Sequence, residues 1–485
     1  MKSKKIYLTI FTISVAIFST SITQSQSIPK DSLLYYLELA AKNNRTVVQR
    51  YTEYQAALQK VPQIGSLPDP ELSMGVFLSP MELVSGNQVA DIRLMQMFPW
   101  FGVLKNAKDE MSLMAKAKYE LFRDAKLQVF YDVQRTWYNL YKTQQDIRIS
   151  EKNIEILRTL ERLTLVKYKV SPAGGSNSSS SAGNMSNNAT QNSSSGSSGM
   201  SSMGGNSGND QSVIANNQSS AMQSISMSSQ VGGSGLADLY RIQIEIGELD
   251  NSISLLKNQQ NTIIAKFNSY LNRPVKTLIS VPDTLEPDTL GISLLTVSDS
   301  ILVKNPMLSM LQYEQQSLDA RKRMVSRMGY PMVGLGVNYS LINENEMSTS
   351  TMNGKDMIMP MVTVTLPIYR KKYKAMQTET DLMKSATELG YEATANSLHT
   401  EYYEAMQLYQ DAQRRMKLYE NQSLLAKKSL DIMIKSFSAS GSGLTDILRI
   451  QQQILDYEFK QVEAIVDYNT SIAWLKRLMA GTQIQ

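Results

Sequence analysis

Apolar positions in this chain recur with two different periods. Between Val103 and Ser171 there is neither Gly nor Pro, the two residues that most often interrupt a helix. Within that stretch Val129, Val133, Trp137 and Leu140, then Ile147, Ile154 and Leu157, fall at spacings of three, four and seven. That is the seam of a coiled coil. Gln, Lys, Asp, Arg and Glu fill the positions between, so the pattern predicts a long helix with one narrow buried stripe. At about 1.5 Å per residue, such a helix runs on the order of 100 Å. After Pro367 no proline follows, and Gly390 is the only glycine before Gly441. A second helix of the same kind is predicted there.

Ahead of each long helix the period shortens to two. Residues 72–78 and 89–98 flank a loop containing Ser79-Pro80 and Ser85-Gly86-Asn87. Residues 332–341 and 359–366 flank a longer loop at 343–356. Val362, Val364 and Leu366 alternate with Met361, Thr363 and Thr365, as in a strand with one apolar face. Segments of about ten residues can cross a bilayer as tilted strands. Four strands are too few for a barrel, and open edges cannot stand in lipid, so closure requires several chains.

The chain is also duplicated. Gly-Leu-Ala-Asp-Leu-Tyr-Arg-Ile-Gln at 235–243 returns as Gly-Leu-Thr-Asp-Ile-Leu-Arg-Ile-Gln at 443–451, an offset of 208. Asn44, Pro70, Gly75 and Val76 return as Asn305, Pro331, Gly336 and Val337, an offset of 261, and Phe98-Pro99 returns as Leu366-Pro367. Such self-similarity divides the chain into two copies. The first spans 26–274 with its strand pair at 72–98, and the second spans 305–485 with its strand pair at 332–366. Residues 275–304 form a linker and the start of a helix. The first copy alone carries an insert: Gly235 follows Tyr168 by 67 positions, whereas Gly443 follows Phe437 by 6. Residues 172–234 are rich in Ser, Gly and Asn, with Asp210 their only charge, and are expected to be disordered for want of anything to bury.

Composition narrows the compartment. Lys2, Lys4 and Lys5 precede an apolar run at 6–18, which reads as a cleaved export signal at 1–25 and is too short to span a bilayer. The chain has no cysteine, hence no disulfide and no lipidated N-terminal cysteine. Without the three signal lysines the net charge falls from +5 to +2, so nothing asks for nucleic acid. His399 is the only histidine, with Glu401 and Glu404 nearby. Metal sites and general bases usually need more than that. No phosphate loop or nucleophile motif is present, so neither an enzyme nor a cofactor is expected. The five insert methionines, Met185, Met200, Met203, Met222 and Met227, are soft-metal ligands by chemistry but are no denser than in the rest of the chain. Met347, Met352, Met357, Met359 and Met361 are denser; their loop is expected to face the cell exterior, with Met359 and Met361 towards lipid.

Each copy thus reads helix, strand, strand, long helix, turn, returning helix. That order, with Ser-Leu-Pro-Asp-Pro-Glu-Leu at 66–72, Phe98-Pro99-Trp100-Phe101-Gly102 and the two Gly-Leu-x-Asp turns, resembles the TolC-type outer-membrane efflux protein family, closest to its metal-cation branch. The resemblance implies a mixed α/β membrane protein. It would be a homotrimer whose β-barrel, four strands per chain, is continuous with a long α-helical coiled-coil barrel. It would sit in outer-membrane lipid with a large periplasmic part. Its partners would be a periplasmic adaptor (membrane fusion) protein and an inner-membrane efflux transporter, and heavy-metal cations are among the substrates implied. A protein-secretion duct, a periplasmic adaptor and a coiled-coil scaffold are the alternatives. An adaptor would show one helical hairpin rather than two preceded by strand pairs.

The resemblance also implies acidic rings at the periplasmic tip, just after the second turn. Asp446 matches the first position and Asp238 is its repeat counterpart. The next acidic position is Arg449 here, with Arg241 in the first copy. With Gly235 and Gly443 these form a candidate gate or adaptor contact, against the plainer reading of helix capping and a surface ion pair. Asn44-Arg45 replaces the Asn-Pro kept at Asn305-Pro306, a minor variation in a helix start. Trp137, Leu140 and Trp474 are candidates for trimer assembly. Phe77, Phe98, Trp100, Phe101, Tyr339, Tyr369 and Tyr373 would suit an interfacial girdle or ordinary packing.

Overall fold

A computed structural model describes residues 32–170, 235–289, 294–440 and 443–481. The expected signal at 1–25 and the expected insert at 172–234, with its five methionines, lie outside the described residues. Among the described residues there are eight helices and four strands. Helices α1 (Leu33–Asn43) and α2 (Arg45–Gly65) precede strands β1 (Glu71–Leu83) and β2 (Gly86–Phe98), then helices α3 (Val103–Val170) and α4 (Gly235–Tyr270). The order then repeats as α5 (Leu294–Lys304), α6 (Pro306–Met328), β3 (Met332–Asn343), β4 (Met357–Thr365), α7 (Arg370–Ser440) and α8 (Leu444–Leu478).

The two copies share more than element order. Asn44 and Asn305 both cap the following helix, with φ/ψ of −62°/124° and −64°/126°. Each Oδ1 accepts a backbone N–H two residues on, and each Nδ2 reaches far along the chain. Asn44 donates to the Tyr270 carbonyl at 2.9 Å and Asn305 to the Leu478 carbonyl at 3.2 Å. Tyr270 and Leu478 are themselves 208 apart. Just beyond them, Asn272 and Ala480 take the left-handed conformation at φ 49° and 51°. The helix ends close alike, Arg273 N–H on the Asn268 carbonyl and Gly481 N–H on the Lys476 carbonyl, a 6→1 bond of the Schellman type. Arg45 in place of proline leaves this cap unchanged.

The chain divides into two units, residues 155–247 and the rest. In the larger unit one core gathers Tyr36 and Leu37 of α1, Val133 and Trp137 of α3, Phe267 of α4 and Ala473 of α8. A second gathers Ile301, Leu308, Leu398, Tyr402 and Leu475. The linker lies along α3 and α8. Gln145 donates to the Asp283 carbonyl at 2.7 Å, Leu285 N–H to the Tyr141 hydroxyl at 3.1 Å, and Asp288 N–H to Asn469 Oδ1 at 2.8 Å. In the smaller unit Leu157, Leu160 and Ile242 are buried, and Gln243 donates to Glu161 at 2.9 Å.

The strands form one antiparallel sheet in the order β1-β2-β3-β4. β1 runs to Leu83, past the predicted end at residue 78. Its register shifts between Val76 and Met81, and that irregularity absorbs Pro80, which has no N–H to pair. Only Val84 and Ser85 then separate β1 from β2, and Gly86 takes φ +123° at the turn.

Candidate functional site

Cross-strand partners share a face of a sheet. Leu72, Leu94, Val337 and Pro360 form one row, and Met74, Ile92, Tyr339 and Ile358 the next. The opposite face carries Ser73, Arg93, Asn338 and Met359, then Gly75, Asp91, Ser340 and Met357. In a water-soluble sheet the apolar face is covered. Here Leu72 is 63%, Val76 71% and Val362 70% exposed, whereas Asn338 and Ser340 are buried. One face of the sheet is apolar and exposed, and the opposite face is polar and partly buried. Met359 and Met361 sit on the polar face, opposite Ile358, Pro360 and Val362. Gly75 and Gly336, equivalent in the two copies, leave room on that face. A Cβ at Gly75 would strike the Asp91 carboxylate, and one at Gly336 would lie 2.9 Å from the Leu94 carbonyl oxygen.

Aromatic residues gather where the strands meet the helices. Trp100 stacks on Tyr330 with centroids 5.3 Å apart, Phe101 lies beside Trp100, and Phe101 and Tyr369 are each 83% exposed. Tyr330 escapes the sequence reading because its repeat counterpart is Asp69; only its place before Pro331 hints at it. Phe77 falls in the register shift of β1, and Tyr339 donates to Asp356, at the far end of the sheet. Neither belongs to the cluster.

At the second turn Gly443 takes φ +105°, which favours glycine. Its carbonyl accepts from the Asp446 and Ile447 N–H groups at 3.1 Å. Leu444 and Ile447 are buried, so the turn is anchored. Arg449 and Asp446 form an ion pair at 3.3 Å with side chains 75% and 55% exposed. In the first copy Gly235 opens α4, Asp238 is half-buried in its first turn and Arg241 is exposed. The two turns lie in different units.

Three further sequence candidates behave differently. Trp137 and Leu140 are buried within their own chain, and Trp474 is partly buried against the Ile301–Leu308 cluster. Trp137 and Leu140 are thereby removed from a role between chains. Glu401 is engaged by Arg477 at 3.3 Å rather than by His399. Among the described residues no group of three or more His, Cys, Asp or Glu is placed to hold a metal ion, and no helix is long and apolar enough to cross a membrane.

Acidic groups lie between the helices. Burial pushes the Asp146 carboxyl up to about 7, with Glu463 adding to the rise and Lys142 opposing it. Asp467 is likewise raised by burial, against the pull of Arg415, which it meets at 2.8 Å.

No family model and no curated protein matches the sequence. Solved structures do. CusC, described in terms of transmembrane channel formation, aligns over 93% of this chain and 92% of its own, with a TM-score of 0.68 at 10% identity. The open outer membrane channel MtrE of Neisseria gonorrhoeae aligns over 93% and 89%, with a TM-score of 0.66 at 13% identity. The outer membrane protein VceC of Vibrio cholerae aligns over 93% and 96%, with a TM-score of 0.65 at 10% identity. None is described as an enzyme. The chain has the TolC-type outer-membrane channel fold that its duplicated motifs resemble.

Proposed function

We propose that three copies of this chain form an exit duct in an outer membrane, taking substrate from an inner-membrane transporter through a periplasmic adaptor. The observation that carries this is the reversed sheet. Its apolar face is exposed, and β1 and β4 each have an unpaired edge. Pairing β4 of one chain with β1 of the next would close a twelve-stranded barrel, and closure is what allows strands to stand in lipid.

The helices support the same assembly. On α7, Leu398, Ala405, Ala412 and Ala426 are buried at multiples of seven. A second set at heptad spacing, Leu382 and Leu389, then Leu418, Leu425 and Ile432, is 46–67% exposed. One seam serves the chain itself, and the other is free for a neighbouring copy. Asp446 and Arg449 would stand at the periplasmic tip, where charges from three chains converge; Asp238 and Arg241 are their counterparts in the first copy. Heavy-metal cations are the substrates suggested by the resemblance.

The test is outer-membrane fractionation followed by electrophoresis with and without boiling. A trimer-sized band that collapses to monomer on heating is expected. A monomer in the soluble periplasmic fraction would overturn the reading.

A further inference from the structure

Among the methionines on the polar face of the sheet are Met95 and Met97 on β2, Met332 on β3, and Met357, Met359 and Met361 on β4. On β4 the sorting is strict, since Ile358, Pro360, Val362 and Val364 all take the other face. A methionine selected for packing against lipid would belong with those residues.

Between the methionines of β2 and β4, strand β3 contributes no side chain. Gly336 pairs with Met95 on one side and Met361 on the other, and Gly334 with Met97 and Thr363. Met97 already leans into this gap: a Cβ at Gly334 would lie 2.5 Å from its sulfur. Adjacent strands are about 4.8 Å apart, so thioethers from β2 and β4 can converge over the two glycines. Glu71, the partner of Met95 on β1, places a carboxylate in the same row. Thioether sulfur selects soft cations over hard ones.

We infer that the trough over Gly334 and Gly336 binds a soft monovalent cation, Cu(I) or Ag(I), through Met95, Met97 and Met361. The inference rests on the duct reading, in which this face lines the lumen. A conduit needs contacts weak enough to release what they bind, and neutral thioethers suit that better than thiolates or a carboxylate cage.

The experiment uses the purified full-length protein in detergent and Ag(I) in chloride-free buffer. Affinity is read by competition titration and bound metal by mass spectrometry after desalting. Met95→Leu/Met97→Leu/Met361→Leu should weaken Ag(I) binding at least tenfold. Leucine at all five insert methionines should leave this component unchanged, and Mg(II) should not compete. The single change Met361→Leu, on the edge strand, should show a partial loss in case the triple variant fails to assemble. Ag(I) binding that is the same in wild type, Met361→Leu and the triple variant would overturn the site. The same samples, run unheated, separate the two readings: a trimer without a Met-dependent component sinks only the metal site, whereas no trimer in wild type sinks the duct.

Discussion

Asn44 and Asn305 show how much one side chain can do in this fold. Each caps a helix through Oδ1 and ties that helix to the end of another through Nδ2. Replacing an Asn cap costs about 0.5–2 kcal/mol, and Asn305→Ala also removes the donor to the Leu478 carbonyl. Asn305→Ala should therefore lower the thermal transition, measured by circular dichroism, more than an exposed Asn→Ala change such as at Asn396. Asp146 offers a test with a pH signature. Its folded carboxyl is raised to about 7 from an ordinary 3.8, chiefly by burial. Between those values the folded state holds a proton that the unfolded state has released. Stability thus falls as pH rises from about 4 to 7 and is level above that. Asp146→Asn should raise the transition at pH 8, by on the order of 2–4 kcal/mol as an upper bound, and change it little near pH 4. The duplicated Asn was legible in the sequence. Its partner was not, because the bond crosses 226 residues in one copy and 173 in the other and involves a backbone atom of arbitrary residue type.

The long helices were legible because Pro is missing from them, Gly390 is their single glycine, and their apolar residues keep heptad spacing. Periodicity announces a stripe without saying what covers it. That is why Trp137 and Leu140 looked like assembly residues and proved to be internal core, while the exposed seam on α7 went unnoticed. The seam is open to experiment: Leu425→Glu with Ile432→Glu leaves the buried seam intact and should reduce the unheated trimer band at least tenfold. Helical content should be unchanged. β1 was read too short for a related reason. A proline signals the end of a strand, and only the register shift after Val76 lets this one continue.

Internal duplication disclosed the architecture of the chain, but not how its copies join. β2 of the first copy pairs with β3 of the second along their length, and nothing in the period of either strand points to the other. Agreement with known channels at 10–13% identity has the same basis: the fold depends on pattern and spacing more than on particular side chains. In the second copy Gly443 follows Phe437 by only six positions. Replacing 172–234 with the short Gly-Ser-Gly sequence of the second copy should therefore leave the heat-modifiable trimer unchanged on gels. The outward apolar face finally dictates an order of events in biogenesis. Helical cores that close within one chain can form in water. A Leu, Val and Ile face bounded by two open edges is an aggregation hazard there. On the proposed duct reading the sheet would be completed last, when sister chains and bilayer are met together, and until then the exported chain would be a client for holding chaperones.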